Sequence, residues 1–210
     1  LDGNPVHLEM LEAAKKVGTD FMVNIVIDSH SRPVQVVAGD IEEAWLEGVK
    51  IGKELFITPI KELADVVLAC AGGYPKDINV YQTQKAIDNA ARAVKPGGTI
   101  VILAECPEGL GESTFENWMF EAKTPDDVLA RFSAGFKLGG HKAYSLAKLV
   151  KDKEIVLVSD LDADIVKKLF FTPAKNLDDA LKYVQAKHSP NDKYIIMPKA
   201  GTIVPWLEVI

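Results

Sequence analysis

Tyr81, Gln82 and Lys85 stand close together in GGYPKDINVYQTQK, residues 72–85. If the second half of that segment is helical, Lys85 is four residues from Tyr81 and three from Gln82. The three side chains then share one helix face. A phenol, an amide and an ammonium on one face suit a small anion rich in oxygen. The ammonium attracts a carboxylate, and the amide and phenol hydrogen-bond its oxygens or a hydroxyl. The competing reading is a solvated helix face with a surface lysine. Gly72 and Gly73 precede the helix, allowing a turn with positive φ or close approach of a ligand, so both are candidate pocket residues. Asn79 can cap the helix, whose positive end adds attraction for an anion.

Other reactive side chains are less concentrated. His141 follows a glycine pair in KLGGHKAY. It is a candidate for substrate contact or proton transfer, or else a cap or packing residue. His7, His30 and His188 lack metal-ligand spacing and read as surface residues. Neither HExxH nor CxxC occurs, so no metal site is expected in this chain. Cys70 and Cys106 read as small buried hydrophobes that could approach each other if their strands are neighbours. Glu105, Glu108 and Glu112 surround the loop PEGLGEST, as a poised acid or base or as a solvated rim. Trp118 either lines the ligand mouth or anchors helix packing. No GxGxxG, GxSxG or GxxxxGK[ST] motif is present.

Alternating strands and helices are needed to position these residues. From residue 64 the chain repeats strand, loop, helix. The strands are expected over 64–71, 99–106, 154–160 and 193–198, near-continuously apolar as in sheets buried on both faces. Helices are expected over 79–94, 115–122, 126–134, up to 150, 162–170 and 177–187, with KPGG stopping the first. The fold class is α/β, a mostly parallel sheet with helices on both faces, Rossmann-like and three-layered. Ligands in such sheets bind beyond the carboxyl ends of the strands, where GGYPKD and PEGLGE lie. An N-terminal β-hairpin precedes it (strands 21–28 and 34–38), flanked by helices 5–17 and 40–55. Ala44, Val49 and Ile51 line the apolar side of the latter.

The chain has 210 residues, 48% hydrophobic and 26% charged, enough to bury a real core. Net charge is −6, which argues against nucleic-acid or anionic-membrane binding. No apolar run approaches the roughly 20 residues that span a bilayer. Two cysteines and no apparent signal peptide fit a cytoplasmic protein.

The segment GGYPKDINVYQTQKAIDNAARAVKPGGTIVILAECPEGLGESTFENWM resembles the C-terminal domain of the nickel-dependent lactate racemase family. NPVH, the AGD of residues 38–40 and LGGHKAY are also similar to it, so the resemblance covers nearly the whole chain. It implies that 1–210 is a single domain, the C-terminal half of a two-domain racemase or epimerase of small 2-hydroxy acids. It further implies a nickel pincer nucleotide tethered to an N-terminal domain absent here, and hydride transfer to and from that cofactor. Tyr81, Gln82 and Lys85 would contact the 2-hydroxy carboxylate. No catalytic residue of the family is expected in this segment, which alone would be inactive. Two alternatives stand beside this one. One is a methyltransferase-like transferase using a nucleotide cofactor, suggested by VKPGGTIVIL. The other is a non-catalytic binding or assembly module.

Overall fold

The computed structural model describes residues 3–208. The chain divides into two compact units, Leu1–Ile57 and Thr58–Ile210.

The first unit is a hairpin between two helices. Helix α1 (Pro5–Val17) starts at Asn4, whose side chain accepts from the amides of Val6 and His7, and ends at Gly18 in the left-handed region. Strands β1 (Met22–Ile27) and β2 (Pro33–Gly39) pair antiparallel, as expected. Their turn is built around Asp28, which accepts from the amides of His30 and Arg32 and from the Arg32 guanidinium. Helix α2 (Ile41–Phe56) is capped by Asp40 and packs on the hairpin. Val37 and Ala44 are the buried hydrophobic residues among the described residues of this unit.

The second unit is the α/β body, and it follows the expected fold class. Strands β4 (Ala64–Cys70), β5 (Val94–Leu103), β6 (Glu154–Val158), β7 (Thr172–Ala174) and β8 (Tyr194–Met197) form one sheet in the order β7-β6-β5-β4-β8. Every neighbouring pair is parallel. Alternation along each strand sorts the side chains into two cores. Val67, Ala69, Ile100, Ile102, Ile155 and Leu157 join the larger one. Residues of helices α3 (Val80–Ala91), α4 (Ser113–Glu121), α5 (Pro125–Ala134), α6 (Gly140–Val150) and α7 (Ala163–Lys168) complete it. Val66, Val101 and Val156 face the other way, against Ala180 and Val184 of α8 (Leu177–Lys187). Each fully buried branched side chain contributes about 1.5–3 kcal/mol, so the sheet and both its coverings stand or fall together.

The structure departs from the sequence expectations at the margins. The sheet has a fifth strand, β7, too short to show a period of its own. It includes Pro173, which an edge strand tolerates because it need not donate on its open side. The KPGG stretch does not stop a helix but lies inside β5, which begins at Val94. The expected tail holds a 3₁₀ turn (Ala200–Thr202) and strand β9 (Val204–Leu207), which pairs with β3 (Ile57–Ile60).

Candidate functional site

The sheet order places a crevice where the topology reverses. From β4 the chain moves outward through β5, β6 and β7, then returns to the opposite side of β4 as β8. Their connections diverge at the carboxyl ends of β4 and β8, where open α/β sheets bind ligands. A cleft of about 270 Å³ lies there, lined by Ala71, Lys76, Gln82, Lys85 and Gly201 among others.

Local chemistry builds each wall. Gly72 has φ of +109°, and an added Cβ would stand 3.3 Å from the Lys76 side chain. The glycine thus lets the loop turn back and bring Lys76 over the end of β4. Gly201 approaches β4 so closely that a Cβ would lie 2.9 Å from the Ala71 carbonyl oxygen. Asn89 of α3 donates to the Ala200 carbonyl at 2.8 Å, locking the 3₁₀ turn against the helix. Asn79 caps α3, its side chain accepting from the Gln82 amide at 2.9 Å. The amides of Val80 and Tyr81 donate to the carbonyls of Gly109 and Leu110, both at 3.1 Å. The helix end therefore supplies its field while its first amides are occupied. Contacts to a ligand fall to side chains.

The structure brings Gln82 and Lys85 together, with the Lys85 ammonium donating to Gln82 Oε1 at 2.9 Å. That bond leaves the Gln82 NH₂ to donate elsewhere. Tyr81 turns away from the cleft lining. Its ring meets Phe115 edge-on at 6.0 Å, and the Lys142 ammonium stands 3.9 Å from its centroid. Gly72 and Gly73 shape the loop. His141 lies outside the cleft, its ring stacked on Phe136 and its Nδ1 buried without a partner. Sequence reasoning missed Lys76 and Lys142. Lys76 was visible as the lysine of GGYPKD. Lys142 carried no signal, since only the packing of α6 brings it to α3.

The remaining candidates have structural roles. Glu112 caps α4: burial pushes its carboxyl up, but amide bonds from Phe115 and Thr114 outweigh this and hold it below the usual range. Trp118 is buried, with the Arg131 guanidinium over its ring and Phe132 at its edge. Cys106 is a free thiol pushed up to about 11, mainly by burial and against a contact with Thr83. His188 is not the free surface residue expected, because it bonds Thr99 at 2.9 Å and Asp192 at 3.0 Å. A second crevice, at the ends of β4 to β6, carries Asp77, Glu105 and Asp160. Lys175 also lines it, so three carboxylates and one ammonium face that crevice, whereas two ammonium groups face the cleft at β4 and β8.

Residues 60–204 match the family model for the lactate racemase C-terminal domain. The chain belongs to the lactate racemase family. It is 34% identical over 209 residues to the lactate racemase of Thermoanaerobacterium thermosaccharolyticum and 30% identical over 207 to that of Lactiplantibacillus plantarum. These alignments cover 97% and 96% of this chain and 49% of each relative. The chain thus spans about half the length of the curated lactate racemases it matches. The lactate racemase apoprotein structure from the first organism superposes with a TM-score of 0.93 over 98% of this chain and 50% of that one. A Thermotoga maritima protein at 11% identity and a TM-score of 0.64, covering 97% of this chain and 53% of that one, shares the fold. Among the described residues no helix is long and apolar enough to cross a membrane.

Proposed function

We propose that this chain is the substrate-holding C-terminal half of a 2-hydroxy acid racemase or epimerase, and that Gln82 and Lys85 receive the substrate carboxylate. The Lys85–Gln82 pair in a lysine-lined cleft at the switch point carries this reading. Lys85 supplies the charge, and the Gln82 NH₂, freed by the Lys85 bond to its oxygen, donates to a carboxylate or to the 2-hydroxyl. Tyr81 forms the flank. Its half-buried ring stiffens the first turn of α3, so that both polar groups are held ready.

Lys85 is exposed. An exposed ion pair is worth only about 0–1 kcal/mol, so this surface alone holds a small carboxylate weakly. Tight capture needs a second surface that excludes water. On this reading that surface is the rest of a longer, two-domain protein, with 1–210 as its C-terminal part. The same partner would hold the nickel pincer nucleotide implied by the resemblance. The residues here do not fit that group. Among the described residues no three His, Cys, Asp or Glu side chains could hold a metal, and the Cys106 thiol is displaced away from the thiolate form. On this reading inversion at C2 by hydride transfer is chemistry supplied by that partner, and the share of this chain is to bind and orient.

The test is lactate turnover by the longer protein loaded with cofactor. Lys85→Ala should lower kcat/KM by about 10–100-fold, the loss of one charged hydrogen bond, and Gln82→Ala by about tenfold. Wild-type kinetics in Lys85→Ala would remove the carboxylate from this cleft.

A further inference from the structure

Lys142 lies at the start of α6, and its ammonium is drawn into the packing against α3 within electrostatic reach of Lys85. It donates to the Tyr81 carbonyl and stands 3.9 Å from the centroid of the Tyr81 ring. In the opposite direction, Gln84 of α3 donates to the Lys142 carbonyl at 3.2 Å. Two reciprocal bonds therefore clamp the first turn of α6 to the first turns of α3. Asp88, the acid nearest in influence, is engaged by Ser145 at 3.4 Å, and no carboxylate forms an ion pair with Lys142 among the described residues.

A half-buried ammonium without a counter-ion is costly, and Lys85 beside it adds like-charge repulsion. A methionine would fill the same space without either cost. Violations of this kind concentrate at functional sites. An anion arriving at Lys85 would relieve both lysines.

We propose that Lys142 is a positioning residue for the carboxylate site: it holds Tyr81 by carbonyl and ring, and its positive charge behind Lys85 strengthens capture of a small 2-hydroxy carboxylate. This rests on the reading of Gln82 and Lys85 given above. The titratable and charged groups facing Lys142 are Tyr81, Lys85 and Asp88 on α3, with Arg92 acting on Asp88; His141 precedes it on α6. Burial first, and Lys85 second, push the Lys142 ammonium below the usual lysine range, with Asp88 pulling the other way. Its charge is lost as pH rises, ahead of ordinary lysines. An anion prefers the charged form, so affinity falls across the same interval.

The experiment is NMR on the longer, two-domain protein with lysine Cε labelled, titrated with sodium lactate at several pH values. Lys142 should titrate below the exposed lysines, and the Tyr81 ring signals should move at the same midpoint. Lactate should shift Lys85 and Gln82, with affinity falling about tenfold across that midpoint. Lys142→Met should bind lactate about tenfold more weakly with this pH dependence gone. Lys142→Arg, which keeps the charge and can keep the contact with the Tyr81 ring, should stay within about threefold of wild type. Tyr81 signals that ignore the Lys142 titration, or wild-type affinity in Lys142→Met, would overturn the proposal. If Lys85→Ala loses lactate while Lys142→Met keeps it, the role of Lys142 alone fails. If lactate moves no Lys85 signal, or Lys85→Ala binds normally, the carboxylate reading itself fails.

Discussion

Gly201 shows how a residue without a side chain can shape a cleft. The backbone oxygen of Ala71, just past β4, lies 2.9 Å from where its Cβ would stand, and a backbone carbonyl cannot swing away as a flexible side chain can. Gly201→Ala should therefore push the 3₁₀ turn off β4, costing about 1–3 kcal/mol and lowering Tm by several degrees. An unchanged melting curve would mean the approach is not constraining. Cys106 illustrates the opposite case, a reactive type silenced by its surroundings. Its thiol, raised from 9.0 to about 11, holds its proton more tightly than in the unfolded chain. At pH 8 the native protein should leave Cys106 unalkylated by iodoacetamide, with reaction appearing on denaturation. The sign also fixes the linkage. Between about pH 9 and 11 the unfolded thiol ionises and the folded one does not, so this group's contribution to stability falls as pH rises.

At the scale of elements, the first turn of α3 decides whether the site exists. Asn79 is buried and its side chain satisfies the Gln82 amide, the backbone of a proposed binding residue. Asn79→Ala should destabilise the second unit by about 1 kcal/mol, read by urea denaturation. It should also loosen Gln82 more than Lys85, since the freed amide belongs to Gln82. In the first unit the hairpin hangs on Asp28. Its carboxyl is held at about 2, well below 3.8, chiefly by the Arg32 amide and then by the Arg32 guanidinium. A depressed carboxyl stabilises above its unfolded value and loses that contribution as pH falls. The β1–β2 amide shifts should accordingly move between about pH 4 and 2, and a hairpin unchanged at pH 2 would refute this.

Across the whole molecule the two units differ in kind. The second carries helices on both sheet faces, with Tyr194 and Ile196 exposed on β8, whereas α1 buries no residue and the hairpin exposes Val23, Ile25, Val34 and Val36. Hydrogen exchange should follow this difference. Amides of α1 and β1–β2 should exchange at lower opening free energy than those of β4 and β5. Equal protection in both units would contradict it.

Much of this protein was legible from residue types alone. The α/β class followed from continuously apolar strands such as VVLACA and IVILAEC alternating with capped helices. The Lys85–Gln82 pair followed from helical spacing, because a contact three residues apart is local and needs no tertiary partner. What packing decided is of longer range. β7 is three residues long and exists because β6 offers it an edge. Tyr81 shares the helix with Gln82 yet faces Phe115 and Lys142, a choice made by α4 and α6. Lys142 and Gly201 reach the site only because helix packing and the return of β8 to β4 join residues dozens to over a hundred positions apart. Local spacing is written in the sequence through backbone geometry. Which distant surfaces meet is settled by burying both faces of one sheet at once.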